Sequence, residues 1–285
     1  MKQYDFQTIL PENVSVVDHD HAGFPKGCVR LEYASFVDGS SDYAMMVPPE
    51  SQGQDTWVVT IHGHGAEGNQ VFVRSDVKKH WLPEFLRHGF GILSPTLRGN
   101  AWMGPEAVAD LDSLLNYLRN EFGARRFVFY GGSMGGTSSM AYAALRPCNV
   151  DALAVLGGTC DMIAYYHSCR AGMKDLPLLG EIADAIEKGY GGTPEEQPLL
   201  YRTHSPIFSV DTLKEIPFYL GHGETDVLMP VEQSRRMAAA MAEAPRFIYH
   251  EIQGKGHDAP LLYGQQCSDD CSFNILDWLV ENMAK

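Results

Sequence analysis

The run Gly131-Gly132-Ser133-Met134-Gly135-Gly136 constrains this chain most. It follows the apolar, β-prone stretch Arg126-Phe127-Val128-Phe129-Tyr130 and precedes the small-residue, helix-compatible residues 138–145. Strand, sharp turn and helix are therefore expected, with Ser133 at the apex. Glycines on both sides let the backbone turn without a Cβ clash and hold a hydroxyl clear of the sheet. A helix that starts at Met134 puts unpaired N–H groups beside that hydroxyl, where they can receive an oxyanion. A plain Gly/Ser turn between strand and helix is the alternative reading.

Further apolar strands are expected at residues 28–37, 43–47, 56–62, 90–94, 152–156, 217–220 and 247–252. Helices are expected at 76–88, 105–122 and 274–283, the second with Val108, Leu111, Leu114, Leu115 and Leu118 on one stripe. Residues 1–26 read as irregular. The alternation predicts an α/β fold: a mostly parallel sheet of about eight strands with helices on both faces. All 285 residues fit a single domain, with 159–212 read as a cap inserted over the carboxyl ends of the strands.

The formal net charge of −14 argues against nucleic acid and anionic membrane surfaces as partners. No apolar run approaches the length of a membrane span, and the first residues lack the apolar core of a signal peptide. The six cysteines, Cys28, Cys148, Cys160, Cys169, Cys267 and Cys271, read as free thiols of a reducing, cytoplasmic compartment. A Cys160–Cys169 or Cys267–Cys271 bridge is the alternative.

A serine hydroxyl needs a base to take its proton and a carboxylate to orient that base. Asp226, in Gly221-His222-Gly223-Glu224-Thr225-Asp226, is the candidate acid, with Glu224 as its rival. His257, in Gly254-Lys255-Gly256-His257-Asp258, is the candidate base, and Asp258 reads as a loop residue. The oxyanion donors expected are Met134 N–H and the N–H of Gly63 or His64, in the turn His62-Gly63-His64-Gly65. His62 and His64 have a spacing that can bind a metal. The preferred reading is a structural hydrogen bond for His62 and a place at the site mouth for His64, with no metal and no cofactor. His62, Trp102, Tyr165 and Tyr166 are candidates for lining a pocket, or else they pack the cap onto the sheet. Arg98 is expected to pair with Asp110 or another loop acid rather than to bind a substrate carboxylate.

From Thr56 to its end the chain resembles the α/β-hydrolases, and among them the catalytic domain of the prolyl oligopeptidase (S9-type) family. The resemblance rests on His62-Gly63, Leu97-Arg98-Gly99-Asn100, the Ser133 turn and His222-Gly223-Glu224-Thr225-Asp226. It also rests on Tyr190-Gly191-Gly192-Thr193-Pro194-Glu195-Glu196-Gln197-Pro198 through Ser205-Pro206. It implies a cofactor-independent serine hydrolase with Ser133, Asp226 and His257 as its triad. Two departures matter. Many S9 peptidases carry an amino-terminal β-propeller, which the residues before Thr56 cannot form. Several place a tyrosine hydroxyl at the oxyanion site, where this chain has His62. Both favour carboxylic esters of small, accessible substrates over short peptides, which remain the alternative.

Overall fold

The computed structural model describes residues 4–19, 23–51, 53–258 and 273–283. Its centre is built from runs with no polar face to expose. β4 (Thr56–Ile61), β5 (Gly91–Pro95), β7 (Ala152–Leu156) and β8 (Phe218–Gly223) are buried throughout, and β6 (Arg126–Gly132) is buried beyond Arg126. Strands covered on both faces belong to parallel sheets. With β9 (Phe247–Ile252) these strands pair in parallel. β1 (Glu12–Asp18), β2 (Val29–Ala34) and β3 (Ser41–Val47) extend the sheet in antiparallel fashion beyond β5. The order is β1-β2-β3-β5-β4-β6-β7-β8-β9.

Alternation along each strand feeds two cores. Trp57, Val59, Ile61, Phe127 and Phe129 face one, where α4 (Pro105–Phe122), α5 (Met134–Leu145), α9 (Val210–Leu213) and α10 (Glu232–Ala240) pack. Val58, Val128 and Tyr130 face the other, covered by α1 (Gln70–Val73), α2 (Ser75–His80), α3 (Leu82–Arg87) and α11 (Ile275–Asn282). A third apolar cluster joins α6 (Met162–Gly172), α7 (Pro177–Tyr190) and α8 (Pro198–Thr203) to Trp102, Met134 and Met229.

Three local expectations need correction. Residues 12–18, expected to be irregular, form β1, the ninth strand of the sheet. That strand is exposed along its whole length and pairs with β2 alone, so it carries no burial signature to read. The single helix expected at 76–88 is split into α2 and α3, and the short α1 precedes them. Arg74 is extended between α1 and α2, and Pro83 sits in the first turn of α3, where its missing N–H does no harm. β8 runs on through Gly221, His222 and Gly223, which pair with His250, Glu251 and Ile252.

The chain leaves β4 for β5 on one side and leaves β6 for β7 on the other, although β4 and β6 are neighbours. The loops therefore diverge at the carboxyl ends of β4 and β6, where open α/β sheets form their ligand crevice.

Candidate active site

Ser133 sits between β6 and α5 at φ 57° and ψ −124°, a left-handed conformation that a residue with a Cβ adopts only under constraint. The constraint is visible. Ser133 N–H donates to the Leu156 carbonyl at 2.9 Å, and its own carbonyl accepts from Thr137 N–H at 3.0 Å and Thr137 Oγ1 at 3.1 Å. A Cβ on Gly135 would strike the Ile61 carbonyl, and one on Gly131 would strike the backbone of Gly135. Glycine at both positions lets α5 start tight against β4 and β6. Met134 opens α5, so its N–H has no partner within the helix.

His257 Nδ1 lies 2.7 Å from Asp226 Oδ2. Asp226 Oδ1 accepts from the N–H groups of Leu228 and Met229 at 2.8 and 2.9 Å. The same Oδ2 lies 3.2 Å from Nε2 of His222, a fully buried ring. Burial alone would raise the pKa of Asp226. The contacts with His222 and His257, together with the Met229 N–H, outweigh it and hold the carboxyl well below the usual range. His222 Nε2 also lies 2.8 Å from the Met229 carbonyl, and Nδ1 lies 2.7 Å from Ser234 Oγ. With two acceptors facing Nε2, the ring must carry a proton there. The rival acid, Glu224, accepts from Gly254 N–H instead. Asp258 pairs with Arg74 Nη2 at 2.9 Å.

Ser133 and His257 line one cavity of about 200 Å³, together with Gly63 and His64. Gly63 N–H donates to Gln70 Oε1 at 3.0 Å, so of the two alternative donors from that turn it is the one already engaged. His62 is buried, with its ring nitrogens 2.9 and 2.8 Å from the Gly63 and Thr96 carbonyls. His64 Nδ1 accepts from Trp102 Nε1 at 3.2 Å, and burial lowers the pKa of this imidazole.

The remaining pocket candidates need correction. Trp102, Tyr165 and Tyr166 are buried in the third apolar cluster, and like His62 they do not line the cavity. Their size and apolar character serve packing: Tyr165 Oη donates to the Leu228 carbonyl and Tyr166 Oη to Glu187. The wall comes instead from Gln70, Arg74, Val77, Tyr130, Leu178, Ile182 and Leu228. No sequence motif marks these residues, because four separate segments supply them.

Arg98 is bound by Asp110 at 2.6 Å, by Asp38 at 2.8 Å and by Ser35 Oγ at 2.8 Å, and it braces the β2–β3 turn against α4. Cys160 and Cys169 are free and buried, so no bridge joins them. Burial pushes their thiols up to about 12 and about 11. Cys267 and Cys271 lie outside the described residues. Among the described residues, no helix is long and apolar enough to cross a membrane.

The sequence model of the BD-FAE family matches residues 44–241. No curated protein matches the chain. Among solved structures, an S-formylglutathione hydrolase from Agrobacterium tumefaciens is similar with a TM-score of 0.67 and 13% identity, over 95% of this chain and 100% of that one. A thermostable esterase gives 0.64 and 17%, over 90% and 64%. A puromycin hydrolase gives 0.62 and 22%, over 85% of this chain but 37% of that one. The chain thus spans little more than a third of the puromycin hydrolase, and at these identities the likeness is one of fold.

Proposed function

Because the chain belongs to the BD-FAE family and has the three-layer α/β-hydrolase fold, we propose that it is a serine hydrolase cleaving carboxylic esters of small substrates. The observation that carries this reading is Ser133, held at φ 57° on the β6–α5 turn, in one cavity with a histidine bound to a buried aspartate. Ser133 Oγ attacks the ester carbonyl while His257 accepts its proton. Asp226 orients the imidazole and stabilises its charged form. Negative charge developing on the carbonyl oxygen is met by Met134 N–H and, with Gly63 engaged by Gln70, by His64 N–H. His257 returns the proton to the leaving alcohol. It then activates the water that releases the acyl group. Residues 159–212 act as a cap: Leu178 and Ile182 of α7 close one side of the cavity. The buried free thiols fit a reducing, cytoplasmic setting.

A second reading, a peptidase acting on short peptides, is favoured by the S9-like stretch from Tyr190 to Pro206 and by the fold shared with puromycin hydrolase. Both readings are tested with p-nitrophenyl acetate, an acylaminoacyl p-nitroanilide and the Ser133→Ala variant. Ester turnover should exceed anilide turnover, and Ser133→Ala should lower it by about 10⁴ or more. The thermal midpoint should stay within a few degrees. Comparable specificity constants for the two substrates would favour the peptidase. Full activity in Ser133→Ala, or failure of a fluorophosphonate to label Ser133, would sink both.

A further inference from the structure

With Ser133 fixed by its turn, the rate depends on where the base is held, since a displacement of about 1 Å can cost about a hundredfold. The loop that carries His257 has freedom to lose. It contains Gly254, at φ 65°, and Gly256, the residue directly before the base. Its near end is fastened: Gly254 N–H donates to Glu224 Oε2 at 2.6 Å, and the Lys255 carbonyl accepts from Thr225 N–H at 2.9 Å. Beyond Lys255 the backbone of Gly256, His257 and Asp258 makes no hydrogen bond among the described residues. Two side chains hold this end instead. His257 reaches Asp226, and the next residue, Asp258, accepts from Arg74 Nη2 through Oδ1 at 2.9 Å.

A partly exposed ion pair is usually weak, because ordering two side chains offsets most of the attraction. Arg74 is ordered beforehand. Its N–H donates to the Gln70 carbonyl at 2.9 Å, and its own carbonyl accepts from Lys78 N–H at 2.8 Å. Asp76 grips the guanidinium at two points: Nε donates to Oδ1 and Nη2 to Oδ2, both at 2.8 Å. Asp76 Oδ1 also accepts from Val77 N–H at 2.8 Å. Burial would raise the pKa of Asp76, but Arg74 and the Val77 N–H outweigh it and keep the carboxyl ionised. Val71, Phe72 and Val77 seat α1 and α2 in the second core. The guanidinium is thus aimed at Asp258 from a rigid support.

We propose that Arg74 is a positioning residue of the hydrolase: by gripping Asp258 it ties the His257 loop to the α1–α2 junction and holds the imidazole where Ser133 can use it. The proposal rests on the serine-hydrolase reading and goes beyond it, to a pair that takes no part in the bond-making steps.

The test is a double-mutant cycle with Arg74→Met and Asp258→Ala, and with Asp258→Asn as the conservative variant. It is read by kcat and KM for p-nitrophenyl acetate and by the rate constant for fluorophosphonate labelling of Ser133. Each single variant should lower kcat and the labelling constant by about three- to tenfold, with KM within about twofold. The double variant should be no slower than the slower single one by more than about twofold, since both remove the same contact. Asp258→Asn, which keeps an acceptor for Nη2, should recover about half of the loss or more. Asp258 is exposed, so Asp258→Ala should keep its thermal midpoint within a few degrees and carries the test even where Arg74→Met fails to fold. Unchanged kcat and labelling in Asp258→Ala would overturn the proposal. So would single effects that multiply in the double variant. Rates moving in opposite directions in the two single variants would overturn it in favour of a through-space charge effect, because the two substitutions remove opposite charges. A KM raised in Arg74→Met alone would make Arg74 a substrate contact instead. Turnover that survives in Ser133→Ala would sink the serine-hydrolase reading itself, whereas Ser133 labelling that is intact in every Arg74 and Asp258 variant sinks the positioning role alone.

Discussion

Asp226 shows how much one side chain owes to its surroundings. It is buried, yet it is held ionised by two imidazoles and two backbone N–H groups. Under the proposed function His222 is a positioning residue, since it touches Asp226 and does not line the cavity. Hydrogen bonds to charged groups are worth about 1.5–3 kcal/mol, which is roughly ten- to hundredfold in rate. His222→Leu should therefore lower kcat by about that factor with KM little changed, while His222→Gln, which keeps a donor near the Nε2 position, should recover most of it. The pH dependence of stability supplies a readout that a packing role would not move. A carboxyl whose folded pKa is depressed contributes stability that is present above its unfolded value of about 3.9 and is lost as pH falls through the folded value. The stability gap between wild type and His222→Leu should thus be widest at neutral pH and narrow below about pH 4, as read by urea denaturation across pH. A gap constant with pH would assign His222 to packing alone. Legibility at this scale followed local signals. Ser133, Asp226 and His257 stood out as candidates because each lies among glycines after an apolar run. His222 lies within the same run of glycines but inside a strand, and Tyr130, Gln70 and Arg74 meet across segments that share no pattern, so nothing local announced them.

Elements carry the site through close approach of backbones. α5 starts where β4 and β6 end, and that approach leaves no room for a methyl group on Gly135, whose nearest neighbour is the Ile61 carbonyl. Backbone cannot yield as a flexible side chain does, so Gly135→Ala must push α5 away from β4. We expect a loss of about 1–3 kcal/mol in urea denaturation. Activity should fall by more than stability explains, because the same shift moves Met134 N–H relative to the turn at His64. A variant of normal stability and activity would show that the turn is less constrained than its geometry implies. The strands at the centre were legible because they are covered on both faces and read as unbroken apolar runs. β1 was not, since an edge strand exposed along its length leaves no periodic trace. The break at Pro83 and the extension of β8 through two glycines have opposite causes. At Pro83 the local preference wins, since the residue takes the first turn of α3 rather than the interior of one longer helix. At Gly221 and Gly223 tertiary packing wins: Gly223 stays in the strand, where the carbonyls of Lys255 and Gly256 come too close for any side chain.

At the scale of the whole molecule, charge becomes the deciding quantity. A net charge of −14 surrounds a crevice whose own ionised groups, apart from the proposed catalytic set, are Arg74 with Asp76 and Asp258. Such a field slows the approach of anions and leaves neutral molecules unaffected. Its reach depends on salt, because the screening length falls from about 30 Å at 0.01 M to about 8 Å at 0.15 M. Across that range the specificity constant for p-nitrophenyl hemisuccinate should rise by about two- to fivefold, while that for the neutral p-nitrophenyl acetate stays flat. A specificity constant for the hemisuccinate that falls with salt would reveal net attraction. The local positive charge of Arg74 would then outweigh the acids around it, and the crevice would be built for anionic esters after all.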